Sequence, residues 1–219
     1  MKRRIAMLLT VVMVASLAAC AGGKESTEQG TSGTGTITDK PSTDNTPAGD
    51  NSEAGETNIL VAYFSATNTT EGVAKKIADS LSADLYEIIP EQPYTEEDLD
   101  YHDDDSRSSI EMNDDSARPA ISGSVEDMEQ YSIVFIGYPI WWGEAPRIVS
   151  TFMESYDFSG KTIVPFCTSG GSGIGSSATN LEALTSDATW LSGTRLNGGS
   201  SRDKIADWVN GLGLNITAQ

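Results

Sequence analysis

The sequence is poor in histidine, cysteine and basic residues, and each scarcity argues against a class of function. Among 219 residues there are one histidine, His102, and two cysteines, Cys20 and Cys167. So few potential ligands argue against a histidine-based metal site. No serine or cysteine stands in a recognisable nucleophile elbow, which argues against a hydrolase triad. Lysine and arginine total 14 against 32 acidic residues, for a formal net charge of −18. This imbalance argues against nucleic acid or anionic lipid as an electrostatic partner.

The N-terminus has the features of an export signal with a lipid-attachment site. The basic start MKRR precedes the apolar stretch IAMLLTVVMVASLAA, which has signal-peptide length. It ends in LAAC, which resembles the lipobox of bacterial lipoproteins, so we assign residues 1–20 to a lipoprotein signal peptide. The resemblance implies that Cys20 is lipidated and tethers the mature protein outside the cytoplasmic membrane. An ordinary signal peptide, or an anchor helix with a coincidental cysteine, is the alternative. With Cys20 lipidated, no internal disulfide is possible.

Residues 21–57 have the composition of a flexible tether. The segment is rich in Gly, Ser, Thr and Asp and almost free of large apolar side chains. Such a chain buries too little surface to offset its ordering entropy. The composition therefore predicts a disordered tether before a folded domain at residues 58–219.

From Ile59 onward, apolar runs of strand length alternate with segments of helical spacing. The runs predict strands at 59–64, 84–89, 131–139, 161–169 and 189–196, and helices at 73–81, 145–155, 175–186 and 201–213. Alternating strands and helices imply right-handed crossovers and a parallel sheet that is covered on both faces. We therefore expect a doubly wound α/β sandwich, with its ligand beyond the carboxyl ends of the strands.

Three loops at that edge have unusual compositions. The first, SATNTTEG (65–72), places four hydroxyls and an amide before a helix, where free N–H groups favour an anion. The alternative is that these hydroxyls only cap the helix. The second, GYPIWWGEAP (137–146), carries two adjacent tryptophans, and the third, TSGGSGIGSS (168–177), has four glycines that permit close approach of a flat ligand. A phosphate at one end and a flat aromatic at the other describe the shape of flavin mononucleotide (FMN).

The stretches ILVAYFSATNTTEGVAKKI, IVFIGYPIWWGEAP and VPFCTSGGSG resemble the flavodoxin-like superfamily, in the branch that carries Y-P-I-W-W-G. The resemblance spans most of residues 58–215 and implies a five-stranded parallel sheet in the order 2-1-3-4-5 with FMN as cofactor. It implies that the phosphate is held by Ser65, Thr67, Asn68, Thr69 and Thr70. It implies that the flavin ring is lined by Pro139, Ile140, Trp141, Trp142, Gly143, Thr168, Ser169, Gly170, Gly171 and Gly173.

The first loop departs from the usual S-x-T-G-N-T pattern of that family. Asn68 stands in place of the glycine, and Thr69 in place of the asparagine. Asparagine is one of the residues that best tolerate a positive φ angle, so we expect the turn to be kept.

The acidic segment (residues 91–121) is longer than a simple crossover needs. Between Glu91 and Asp115 it holds eleven acidic residues and one arginine, Arg107. A solvated excursion with a short helix around 96–101 is one interpretation. A partner-docking or lid segment, with Tyr101 and Arg107 facing the site, is another, and calcium binding is a third, although the spacing does not match an EF-hand.

The residues favour an FMN-binding electron carrier, tethered through Cys20, that is monomeric and exchanges electrons with redox partner proteins. One alternative is a flavin-dependent NAD(P)H quinone or small-molecule reductase. Another is a surface lipoprotein that keeps the fold without redox work. Cys167 is expected to be a small buried side chain, with a thiol at the flavin edge as the alternative.

Overall fold

The structure, a computed structural model, describes residues 58–219. The predicted signal peptide at 1–20, the lipidation site Cys20 and the predicted tether at 21–57 lie outside this range. Within it, none of the helices combines the length and the apolar character that crossing a membrane requires.

The described chain alternates strands with helices, as the apolar pattern predicts. The strands are β1 (Ile59–Tyr63), β2 (Asp84–Glu87), β3 (Ile89–Pro90), β4 (Ile121–Ser122), β5 (Ile133–Pro139), β6 (Thr162–Thr168), β7 (Thr189–Trp190) and β8 (Thr194–Arg195). The α-helices are α1 (Thr69–Leu81), α2 (Arg107–Asn113), α3 (Arg147–Glu154), α4 (Ser177–Glu182) and α5 (Arg202–Asn210), and a short 3₁₀ helix lies at Met128–Gln130.

The main sheet is parallel and has the predicted strand order. Its strands follow the path β2-β1-β5-β6-β7, and β8 also pairs with β6. With β7 and β8 counted as the fifth strand, this is the order 2-1-3-4-5 of a doubly wound α/β sandwich, and the predicted fold class is confirmed. Tyr63 pairs with Gly137, which pairs in turn with Phe166. The carboxyl ends of β1, β5 and β6 therefore meet at one edge.

Helices cover both faces of this sheet. Val61 and Phe135 pack with α1 and α5 on one face, while Leu60 and Ile136 pack with α3 on the other. Every residue of β1 is buried. This two-sided burial explains the continuous apolar runs, because a strand covered on both faces loses the alternation of polar and apolar residues.

The prediction of one strand at 189–196 is wrong, because two short strands occupy that stretch. β7 pairs with Thr162 and Ile163, and β8 pairs with Phe166 and Cys167. Pro165 lies between the two pairing sites on β6 and has no N–H to donate. Gly193 passes so close to Pro165 that a Cβ on the glycine would lie 2.8 Å from the proline Cγ.

The acidic segment is closed at its base by the antiparallel pair of β3 and β4. A short helix at 96–101 is not formed, since the structure has turns there and places α2 at Arg107–Asn113 instead. Thr95 and Asp98 form a capping box at the start of this turn, since each backbone N–H bonds to the other residue's side-chain oxygen, at 2.9 and 3.2 Å. The chain continues for one turn only and does not extend into a helix.

Candidate functional site

The first loop leaves β1 at the sheet edge and turns directly into α1. The N–H of Phe64 still bonds to Gly137 O on β5, at 2.9 Å. Asn68 then takes a left-handed conformation, with φ of 61°, immediately before the first residue of α1. The expectation that asparagine keeps the glycine-type turn is confirmed. The first bond of the helix runs from Gly72 N–H to Asn68 O, so the amides of the first turn are free for a ligand.

Two of the four hydroxyls of this loop are shielded from solvent, and they differ in their partners. Thr70 is buried, and its Oγ1 lies 2.8 Å from Thr168 Oγ1, which joins the first loop to the end of β6. The Oγ of Ser65 is shielded from solvent and has no hydrogen-bond partner within residues 58–219. Buried hydroxyls are nearly always bonded, so this oxygen points to a ligand that supplies its partner.

The second loop ends in a tight two-residue turn. Trp141 and Glu144 exchange both backbone hydrogen bonds, each 2.9 Å long. Trp142 and Gly143 between them both have positive φ angles, 48° and 87°. This is the geometry of a type I′ turn, and a bulky residue at its first position is unusual enough to suggest a functional constraint.

The two tryptophans have different surroundings. Trp141 is half-buried and meets Phe64 and Tyr94 edge to face, with ring centroids 5.5 and 5.4 Å away. Trp142 is 50% exposed. The first indole therefore fixes the loop to the core, while the second stands free at the sheet edge.

The third loop is held at its far end and open in its middle. Glu144 accepts hydrogen bonds from Ser176 Oγ and Asn180 Nδ2, at 3.0 and 2.8 Å, which joins the second loop to the start of α4. Ser169 is half-buried, and its hydroxyl donates only within its own loop, to Ser172 O. A Cβ added at any of the glycines in the middle of the loop would meet nothing within 4 Å: Gly170, Gly171 and Gly173.

A cavity of about 370 Å³ lies between the first and second loops. Seven of the predicted cofactor residues line it: Ser65, Thr67, Thr70, Pro139, Ile140, Trp141 and Trp142. Eight others lie beside the cavity-lining residues in sequence or further along the third loop, and do not line it: Asn68, Thr69, Gly143, Thr168, Ser169, Gly170, Gly171 and Gly173. The structure thus brings the first two loops together around one space. The third loop adjoins both of them, through Thr168 at Thr70 and Ser176 at Glu144, without lining that space.

The acidic segment supplies the rest of the wall, through Leu99, Tyr101 and Ser108. Tyr101 is one of the two residues that the docking interpretation places at the site. Nothing in the sequence pattern signals Leu99 or Ser108. Arg107, the other residue of that interpretation, does not line the cavity; its guanidinium lies over the Tyr94 ring, 4.1 Å from the centroid.

Buried contacts and ion pairs fix the acidic segment in place. Tyr94 donates a hydrogen bond to Glu111, and Arg107 Nε bonds to the other oxygen of that carboxylate at 2.7 Å. Arg118 makes a two-pronged pair with Glu154 of α3, at 2.7 and 2.8 Å. Burial and the Glu111 carboxylate raise the pKa of Tyr94, and the Arg118 bond lowers the pKa of Glu154. The segment is a fixed wall in this structure.

Cys167 is fully buried on β6, and burial raises the pKa of its thiol to about 11. At neutral pH the thiol is therefore protonated and is a weak nucleophile. Among residues 58–219, no group of three or more His, Cys, Asp or Glu side chains is placed to hold a metal ion.

The family model described as Flavodoxin matches residues 58–212. The chain belongs to the flavodoxin family. This membership supports FMN as the cofactor, as the sequence predicts. A search of curated proteins gave no match.

Solved structures agree with the family assignment. A candidate flavoprotein from Bacteroides eggerthii is 49% identical, with a TM-score of 0.69 over 72% of this chain and 99% of that one. A second, from Bacteroides uniformis, is 45% identical, with a TM-score of 0.68 over 70% and 98%. A flavoprotein in complex with FMN from Lactobacillus acidophilus is 20% identical, with a TM-score of 0.53 over 72% and 99%, which shows the shared fold.

Proposed function

We propose that this flavodoxin-family chain binds FMN and carries electrons for partner proteins while tethered by lipid outside the cytoplasmic membrane. One observation carries the placement of the cofactor: the unpartnered Ser65 hydroxyl belongs to the loop that leads into the free amides of α1, and it lines a cavity whose other walls are largely apolar. Hydroxyls and helix N-terminal amides are suited to hold a phosphate without a lysine. The Lactobacillus acidophilus relative in complex with FMN supports the same ligand.

The residues divide between the two ends of FMN. Ser65, Thr67 and Thr70, with the amides of the first turn of α1, hold the phosphate, while Ile140 and the tryptophan pair line the ring. Bound FMN supplies reversible transfer of one or two electrons. The protein holds the ring against apolar side chains, keeps water from its buried face and leaves an edge accessible beside Trp142, which is half exposed.

The charge of the protein indicates the kind of partner. Tyr101 and Trp142 are exposed at the cavity and belong to a chain with net charge −18. Opposite charge speeds encounter between proteins and loses its effect at high salt. We therefore infer a redox partner with a basic face, which docks on a monomer of this chain at the cavity mouth.

A spectrum and a redox titration test the cofactor and its use. The purified full-length protein is expected to be yellow, or to take up added FMN, and to be reduced in two separable one-electron steps. Rapid bleaching by NADH or NADPH alone would indicate that the protein is a reductase and not an electron carrier. A protein that stays colourless with added FMN would contradict both redox functions and leave the non-redox lipoprotein as the remaining hypothesis.

Substitution of each cysteine tests the tether. The variant Cys20→Ser is expected to incorporate no labelled palmitate. Its mature chain is also expected to be absent from the membrane fraction. The matched control Cys167→Ser is expected to keep both, because that thiol lies in the folded domain. Equal labelling of the two variants would contradict the lipid anchor.

A further inference from the structure

We infer that Ser108, supplied by the acidic segment, is a ligand-contacting residue that hydrogen-bonds the polar edge of the flavin ring. This inference rests on the proposed binding of FMN and extends it to a residue outside the three sheet-edge loops. It assigns the acidic segment a direct part in recognising the cofactor.

Three serines lie together at the start of α2, and one of them differs from the others. Ser106 caps the helix, and its Oγ lies 2.9 Å from Ser109 Oγ. Ser109 in turn donates to Asp103 O at 2.7 Å. The hydroxyls of Ser106 and Ser109 are therefore satisfied by the fold, whereas the hydroxyl of Ser108 is not.

Ser108 is 1% exposed, and its Oγ has no hydrogen-bond partner within the described chain. Five buried side-chain polar atoms of residues 58–219 share this condition: Ser65 Oγ, Tyr86 Oη, Ser108 Oγ, Arg147 Nε and Ser200 Oγ. Of the residues that carry these atoms, Ser65 and Ser108 alone line the cavity. A bound molecule that gives partners to both hydroxyls explains why the fold tolerates them.

The acidic segment that carries Ser108 packs, through Tyr94, on Trp141 of the loop assigned to the flavin ring, which favours the ring end for Ser108. Its neighbour Arg107 lies over Tyr94, and Tyr94 contacts Trp141 edge to face. The phosphate-binding hydroxyls belong to the first loop instead. The backbone of Ser108 is held by a 2.9 Å bond from its N–H to Asp98 O, so only rotation of the side chain is needed to direct the hydroxyl. A hydroxyl both donates and accepts, which suits the carbonyl and ring-nitrogen edge of a flavin.

The test compares affinity with stability in Ser108→Ala. Dissociation constants for FMN and for riboflavin, measured by flavin fluorescence on the flavin-free full chain, are both expected to rise by roughly three- to tenfold. Thermal stability of the flavin-free variant is expected to be unchanged or higher, because no hydrogen bond of the free protein is removed. Ser116→Ala is the matched control, since this serine lies on the same segment and bonds to Asp114, away from the cavity.

Each result decides the inference. Unchanged affinities for both flavins would overturn it, as would a loss confined to FMN, which would place Ser108 at the phosphate. A clear fall in stability of the flavin-free variant would also overturn it, because the hydroxyl would then have a partner in the fold. If the wild-type protein does not bind FMN, the proposed function itself is wrong. The wild-type titration is therefore made before any variant is compared.

Discussion

The first and third loops leave the same edge of the sheet, and the sequence predicts that both hold the cofactor, yet they are built differently. The first loop is fixed by the left-handed Asn68 and by the Thr70–Thr168 bond, and it lines the cavity. The third loop carries glycines whose surroundings are empty, and it does not line the cavity. In the free protein, the first loop therefore presents its hydroxyls to the cavity, whereas the third loop does not.

The largest expected effect comes from the hydroxyl of the first loop. Ser65→Ala should weaken FMN binding by about ten- to a hundredfold, because a hydrogen bond to a charged group contributes about 1.5–3 kcal/mol. Riboflavin affinity should stay the same, because riboflavin lacks the phosphate. Ser169→Ala, the matched change in the third loop, should alter FMN affinity less than about twofold. Fluorescence titration measures all three, and an equal loss for the two variants would break the contrast between the loops.

The second loop contains one tryptophan that is held by contacts with the core and one that is exposed. Trp141→Ala should lower the free energy of unfolding by about 2 kcal/mol, since it removes a half-buried ring from its contacts with Phe64 and Tyr94. Trp142→Ala should lower it by less than about 0.5 kcal/mol, as expected for an exposed side chain. Urea unfolding of the two flavin-free variants checks this, and a reversal of the order would show that the fixed and the free indole are wrongly assigned.

The turn at Asn68 can be tested with two substitutions at one position. Asn68→Val should destabilise the protein by about 1–2 kcal/mol, because a β-branched residue fits the left-handed region poorly. Asn68→Gly should change stability by less than about 1 kcal/mol, since glycine adopts that region freely. Equal stability of the two variants in urea unfolding would mean that the first loop does not depend on its left-handed residue.

The smallest effects are expected in the third loop. Alanine at Gly170, Gly171 or Gly173 should leave stability unchanged or raise it by up to about 1 kcal/mol, because there is space for the Cβ and the unfolded chain loses freedom. Gly137→Ala is the control, since its Cβ would lie 2.2 Å from the Phe166 ring and should cost about 1–3 kcal/mol. Thermal unfolding measures the set. A costly alanine in the third loop would show that these glycines are packed in the free protein, and would contradict the contrast with the first loop.

The sheet was predictable because its evidence is spread over many residues. Continuous apolar runs at β1, β5 and β6 indicate strands buried on both faces, and helically spaced segments between them require parallel crossovers. The first loop was predictable for a local reason, since Asn68 is a residue type suited to the turn that it makes. These features depend on composition and periodicity, which a sequence displays directly.

The far wall of the cavity was not predictable in the same way. Ser108 and Leu99 reach the cavity because tertiary contacts hold the acidic segment, and those contacts join positions distant in sequence, such as Arg118 and Glu154. The split of the last strand has a similar origin, because it depends on Pro165 of a neighbouring strand. Charge suggested a solvated excursion, whereas packing of Tyr94, Arg107 and Glu111 made the segment part of the site.

The short ribbon of β3 and β4 has a consequence for how such proteins diverge. The ribbon brings the two ends of the acidic segment together, so the chain leaves the parallel sheet and returns to it at one place. The entropic cost of closing a loop grows slowly with its length. We therefore expect changes in length within residues 91–120 to cost the sheet little where they keep the contacts of Tyr94 and Arg118. Such changes would alter the wall that Leu99, Tyr101 and Ser108 form at the cavity.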